Sequence, residues 1–337
     1  MRCLLKYRCY IFTVFIVLTT MTLSAFDLSG SLTLGTSYDS NVQYLYLLEK
    51  VTNPDWEQKE SAFLQTDAEL SLFPVESDVF SIDFALLSSL SLPDPAFSHL
   101  NFYTSLYYAP DVADNVALVS FVQLHHLMEN YATPEQMYLD VSASLSVVWM
   151  ATSSLNVVFE TKGAYYHSFS DRIPELKGPT VGEIISADYY IGEEGSKIAL
   201  SAGVNYHHFR DYEKIEHCAN SYSIISRYLG FPVELQLRFR RKVFSANVFL
   251  KYSYLYWLGF DKWTIPDGSF KKRRKDNAIT LTPSLSFYLP KDFTITVSYM
   301  FDDTLSNMGA YQYDYVDYRV LEHTVKMEIS WAFSTEK

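Results

Sequence analysis

The sequence predicts an all-β fold: a transmembrane, antiparallel, up-and-down β-barrel of about 14 strands, within a range of roughly 12–16. Three observations predict it. Segments of about ten residues alternate apolar and polar with period two, the length a tilted strand needs to cross a bilayer. Short turns and long polar links separate these segments in strict alternation. No segment beyond the first 25 residues reaches the roughly 18 consecutive apolar residues of a membrane helix. The 337 residues are 48% hydrophobic and 16% aromatic, with 27 Tyr and 23 Phe. That ring content suits aromatic girdles at two water–lipid interfaces. A soluble, Tyr-rich all-β protein is the competing reading.

Residues 1–25 read as a cleaved signal peptide. Arg2, Lys6 and Arg8 form a basic start, Tyr10 to Leu23 an apolar core, and Leu23-Ser24-Ala25 a small-residue cleavage site. An uncleaved anchor helix is disfavoured by the short apolar run. Cys3 and Cys9 leave with the signal, so Cys218 is the one cysteine of the mature chain and no disulfide framework exists. Residues 26–337 then form one outer-membrane barrel domain. The formal charge of −12 becomes more acidic still once the three basic signal residues are gone. Such a chain is a poor partner for nucleic acid.

The strands are expected at 27–37, 61–73, 79–91, 100–108, 115–127, 136–149, 155–167, 182–191, 197–209, 222–238, 243–257, 277–289, 293–301 and 319–333. The early segments are bounded by turn residues at 74–78 and 109–114. Around Val116–Leu124 both faces are apolar and the period assigns neither. In 136–149, Met137, Leu139, Val141, Ala143, Leu145, Val147 and Trp149 oppose Tyr138, Asp140, Ser142, Ser144 and Ser146. Gly230-Phe231-Pro232 interrupts the tenth segment and predicts a bulge or kink. In 293–301, Phe293, Ile295, Val297, Tyr299 and Phe301 oppose Thr294, Thr296 and Ser298. The last segment sets Val325, Met327, Ile329, Trp331 and Phe333 against Thr324, Lys326, Glu328 and Ser330. The apolar faces must point outward to lipid, because side chains already fill an eight-stranded barrel and cannot fill one of fourteen. A charge there costs about 2–4 kcal/mol at the midplane for Arg or Lys, so the outward sets should be nearly free of charge. The even count puts both termini at the periplasmic rim, with the short turns there and the long links outside.

The expected lumen face is rich in Ser and Thr. It carries Asp67, Glu69, Asp140, Glu160 and Glu328, with Lys162 and Lys251, as candidate lining residues, and acids exceed bases. These groups suit a hydrated wall with a mild cation preference, or a set of ion pairs that brace the barrel. Lys271-Lys272-Arg273-Arg274-Lys275, in a long link, is either a charge-based site for anionic surface ligands or a solvated loop. His125-His126 and His207-His208 cannot each grip one metal, because adjacent strand residues face opposite ways. Asp302, Asp303, Asp314 and Asp317 read as a solvated acidic loop rather than a Ca²⁺ site. No nucleophile motif marks an enzyme. No catalytic, cofactor or metal residue is therefore expected.

The run Tyr38-Asp39-Ser40-Asn41-Val42 resembles the segment that opens the barrel of surface-lipoprotein assembly modifiers. The alternating terminus closed by Trp331 and Phe333 resembles the signal read by the barrel-assembly machinery, here followed by the tail 334–337. The resemblance is porin-like. It implies export to the outer membrane of a diderm bacterium, with outer-membrane lipid and the assembly machinery as partners. The expected function is a channel for small polar solutes. A surface-exposed receptor or adhesin, with loops binding host or surface ligands on a passive barrel, is the alternative. A loop-plugged, substrate-specific transporter is the third.

Overall fold

The computed structural model describes residues 26–40, 61–74, 79–92, 98–129, 135–169, 177–192, 194–209, 212–215, 221–224, 227–259, 261–265, 268–272, 275–306 and 318–334. Fourteen strands form the wall. They are β1 (Phe26–Asp39), β2 (Ser61–Pro74), β3 (Phe80–Ser91), β4 (His99–Tyr108), β5 (Val116–Glu129), β6 (Glu135–Thr152) and β7 (Leu155–Ser168). The second half comprises β8 (Lys177–Ile191), β9 (Ser196–His208), β10 (Arg227–Arg241), β11 (Phe244–Trp257), β12 (Lys275–Leu289), β13 (Phe293–Ser306) and β14 (Tyr318–Ser334). Each is antiparallel to its neighbour in the chain. The last pairs with the first from Ser29 opposite Ser334 to Asp39 opposite Thr324, so the sheet closes. No helix among the described residues is long and apolar enough to cross a membrane.

The connections sort by rim. Two-residue turns join β6 to β7 and β10 to β11, and Pro290-Lys291-Asp292 joins β12 to β13. Lys291 and Asp292 both take positive φ, 64° and 63°, which lets so short a link reverse the chain. The opposite rim carries the long links. Two of them hold four further short strands, Tyr212–Ile215, Ser221–Ile224, Asp261–Ile265 and Gly268–Lys272, paired in that order as a separate antiparallel sheet.

The structure corrects several boundaries. β8 begins at Lys177, so Gly178-Pro179 is strand rather than loop, opposite Tyr166 and Tyr165. The expected tenth strand divides: Ser221–Ile224 joins the extra sheet and β10 starts at Arg227. No bulge occurs at Gly230-Phe231-Pro232. Val233 faces Ala202 and Gly230 faces Asn205 in one register, and β10 pairs with β11 without a break. Pro232 lacks an N–H, so it removes a rung without shifting the strand. Asp302-Asp303 belongs to β13 and not to a loop. Asp314 and Asp317 lie outside the described residues.

Two faces follow from the register. Only Phe63 and Leu72 are buried apolar side chains among the described residues, whereas a large apolar set is exposed, among them Leu34 (50%), Leu200 (54%) and Met327 (56%). A barrel with almost no apolar core and an apolar exterior is one whose hydrocarbon partner is lipid. Aromatics rim this exterior. Phe293 stacks on Trp331 at the short-turn rim, with centroids 6.5 Å apart. At the other end, Tyr299 donates to or accepts from His323 Nδ1 at 2.6 Å. The two levels are eight residues apart on β14, roughly 26 Å along a strand and about 20 Å across a bilayer at the usual tilt. In mid-membrane Glu183 of β8 departs from this charge-poor exterior and accepts from Thr161 Oγ1 at 2.7 Å.

Closure depends on a tight seam. A Cβ at Gly30 of β1 would lie 2.6 Å from Phe333 Cζ and 2.5 Å from the Glu69 carbonyl oxygen. Phe333 therefore rests where only glycine fits, and Trp331 sits 5.3 Å from it, centroid to centroid. Gly30→Ala should destabilise the barrel by about 1–3 kcal/mol, the usual cost of overpacking. Urea unfolding in lipid vesicles measures it, against Gly163→Ala as a control whose Cβ would meet its nearest neighbour at an ordinary 3.5 Å. An unchanged midpoint for Gly30→Ala would refute the seam.

Candidate functional site

The polar half of each strand faces the barrel interior. Strand pairing sets Asp67 and Glu69 of β2 opposite Thr33 and Ser31 of β1, and Glu328 and Lys326 of β14 opposite Gly35 and Ser37. Ser31 Oγ donates to Glu69 Oε2 at 3.2 Å, and Lys326 pairs with Glu328 two residues on. Across the barrel, Lys197 Nζ meets Asp188 Oδ2 at 2.8 Å and Lys251 Nζ meets Glu234 Oε1 at 2.9 Å. The Lys251 pair is over a third exposed on average, so it contributes no more than about 1 kcal/mol. Glu160 and Lys162 share the interior face of β7 and line one cavity. Interior acids outnumber interior bases among the described residues. The Lys271–Lys275 run is not brought to this wall. Lys271 and Lys272 end a short strand of the extra sheet, Lys275 begins β12, and Arg273 and Arg274 lie outside the described residues.

Near the long-link rim the wall changes character. Tyr103 of β4 stacks on His125 of β5, with centroids 4.2 Å apart and 6° between planes. His125 meets Tyr138 of β6 edge-on at 5.2 Å, and Tyr138 lies 6.2 Å from Tyr166 of β7. Tyr166 meets Phe209, just past β9, at 5.5 Å. Phe209 lies 5.5 Å from His207 of β9, which stacks at 4.2 Å on Tyr228 of β10. Tyr228 in turn sits 4.6 Å from Trp257 of β11. An unbroken arc of rings thus lines the interior from β4 to β11. Gly178 of β8 supplies no ring. Its φ of 145° and a Cβ position 2.1 Å from the His208 carbonyl oxygen leave room for hydrogen only.

The period places these rings on the polar face, as it does Tyr138, but ring contact depends on register and strand stagger, which one sequence does not carry. The same contacts settle the orientation of β5. His125 and Phe121 point in, and Val122 and Leu124 point out with 45% and 39% exposure. His125 anchors the arc. Its Nδ1 donates to Asp140 Oδ2 at 2.8 Å and its Nε2 faces Asn101 Oδ1 at 2.9 Å. His125 and Asp140 are both buried, at 8% and 6% exposure. Trp257 Nε1 donates to Asp276 Oδ2 at 3.0 Å at the far end. Among the described residues no group of His, Cys, Asp and Glu is arranged to hold a metal ion.

No protein-family model matches the chain, and no curated protein is similar to it. Solved structures of similar chain course include an outer membrane channel of Pseudomonas putida F1, at 9% identity and TM-score 0.44, covering 93% of this chain and 97% of that one. Acinetobacter baumannii OccAB4 is similar at 8% identity and TM-score 0.46, covering 92% and 98%. The outer membrane channel DcaP of the same organism is similar at 7% identity and TM-score 0.45, covering 93% and 99%.

The His125–Asp140 contact yields a direct test. Asp140→Ala leaves a buried imidazole N–H without its acceptor and should cost about 1–3 kcal/mol of barrel stability. Asp140→Asn retains an acceptor and should cost less. Equal urea midpoints for wild type and Asp140→Ala would show the contact to be incidental.

Proposed function

We propose that the protein is a channel for small polar solutes in the outer membrane of a diderm bacterium, exported through its signal peptide. The observation that carries this reading is the sorting of the closed wall into a lipid-facing apolar exterior and a polar, charged interior. Fourteen strands enclose more width than the eight whose side chains fill an interior, and sixteen to eighteen leave an aqueous channel. Hydroxyls, ion pairs and an excess of carboxylates on such a wall hydrate it and favour cations over anions. Trp331 and Phe333, outward on the closing strand, are on this reading the part that the barrel-assembly machinery recognises.

A surface receptor is the second reading. What favours it is the extra sheet, in which two separate long links pair with one another. Lys271 and Lys272 end that sheet's last strand, and with the rest of the Lys271–Lys275 run they would supply charge for an anionic surface ligand. Planar bilayers separate the two readings. The refolded barrel should give a small conductance with modest cation preference. Neutralising Asp67 and Glu69 together, as Asp67→Asn and Glu69→Gln, should weaken that preference. A correctly folded barrel that never conducts would overturn the channel and leave the receptor.

A further inference from the structure

Below the aromatic arc the interior wall holds a cavity of ≈ 260 Å³, lined from β5, β6, β7, β8 and β9. Its polar lining comes from Glu160, Lys162, Thr180, Asn205 and His207, and Tyr166 closes one side. The base is made of small residues, among them Ser142, Ala164 and Gly182. A Cβ at Gly182 would lie 2.1 Å from Asn205 Oδ1, so glycine is what allows the Asn205 amide to lie across β8.

Two atoms of this lining are unexplained by the fold. Asn205 Oδ1 and His207 Nδ1 are both buried without a hydrogen-bond partner among the described residues. Buried polar atoms normally find partners, and an orphan marks a place for a group from outside the chain. Both residues stand on the same face of β9 and line the one cavity. The two atoms are themselves covered, and they reach a ligand when the Asn205 amide and the His207 ring turn toward it. A ligand that satisfies them must bring hydrogen-bonding groups spaced around its edge. The cavity also carries one ammonium and one carboxylate, Lys162 and Glu160, so its formal charges cancel. A ligand with a single charge would gain from one and lose to the other, whereas an uncharged one accepts from Lys162 and donates to Glu160, and a zwitterion, the competing class, would pair with both. Tyr166 supplies a flat apolar face. Its two ring neighbours, Phe209 and Tyr138, meet it at 85° and 54°, so neither stacks on it. The volume falls just below the roughly 300–1,000 Å³ of sites for drug-sized ligands.

From this combination we infer that the cavity is a binding site for one ring of a neutral sugar. A pyranose has hydroxyls around its edge and a C–H face to lay on Tyr166. It carries no charge and is of the right size. The arc of rings above the site, joined to it through Tyr166 and His207, gives such a ring a succession of flat surfaces on its way in. The proposal rests on the channel reading for its purpose, but binding can be measured without conduction.

D-glucose and maltose are the probes, titrated calorimetrically into the refolded full-length barrel, with tetraethylene glycol as a flexible, ring-free control. Saturable binding of the sugars and none of the control is expected. Tyr166→Ala and Asn205→Val should each weaken it roughly tenfold, the loss of one ring contact or one hydrogen-bonded group. Tyr166→Phe keeps the flat face and should bind nearly as wild type. Variants are compared only where strand circular dichroism matches wild type, and Tyr166→Phe serves as the folded reference. Absence of sugar binding overturns the inference, as does equal binding by wild type, Tyr166→Ala and Asn205→Val. Binding of tyramine or of zwitterionic tyrosine in place of the sugars overturns it in favour of a charged aromatic ligand. A barrel that conducts but does not bind sugar leaves the channel standing without this site. One that binds sugar but does not conduct keeps the site and removes the channel.

Discussion

The hydrogen-bond pairing of β1 with β14 is the constraint on which everything else rests. In hydrocarbon an unpaired backbone N–H or C=O has no water to turn to, and each costs several kcal/mol. An open sheet of fourteen strands would present two such edges. Closing it removes both, and the seam is where Gly30 gives up its side chain so that Phe333 can lie flat against the neighbouring strand. Once the sheet is closed, the period of two sorts every residue. What points out meets lipid and what points in meets whatever the barrel encloses, without intermediate positions.

That sorting explains why the interior looks as it does. Asp188 with Lys197 and Glu234 with Lys251 are partners on adjacent strands, held within 2.8 and 2.9 Å. Such pairs tie neighbouring strands on a wall that has no apolar core to do so. The aromatic arc from Tyr103 to Trp257 is a different device. Its rings occupy positions that the alternation reserves for polar residues, and they do so on seven of eight consecutive strands, β8 offering only glycine. A wall that needed only hydration would carry Ser or Thr there, as it does at Ser284, Ser286 and Thr296. On the channel reading proposed above, rings at these positions are contact surface for what passes.

Much of this was legible in the sequence. Fourteen segments, their alternation and the sequence of short and long connections follow from periods and turn residues that are local properties of the chain. The candidate lumen residues follow from the same parity. The misreadings share a cause. Gly178-Pro179 and Gly230-Phe231-Pro232 carry loop-like residues, yet pairing with neighbours on both sides holds them in strand conformation. Asp302 looked like loop because it is acidic, but Thr280 on the next strand donates to it at 2.8 Å. The orientation of β5 was hidden because Phe121 and Val122 are both apolar. His125 decides it through Asp140 and Tyr103, residues 15 and 22 positions away. The arc, the orphaned atoms of Asn205 and His207 and the extra sheet all depend on contacts between strands, and no single stretch of sequence contains them.

The central claim is that exterior and interior of this wall face different solvents. Adjacent residues Leu200 and Ser201 of β9 point to opposite faces, so they test it most directly. With Cys218 replaced by Ser, a spin label is placed at either position in the barrel reconstituted in lipid. The account predicts that the label at Leu200→Cys is relaxed by oxygen, which concentrates in hydrocarbon. The label at Ser201→Cys should be relaxed by a water-soluble nickel chelate. Equal accessibility at the two sites, or the reverse pattern, would contradict it.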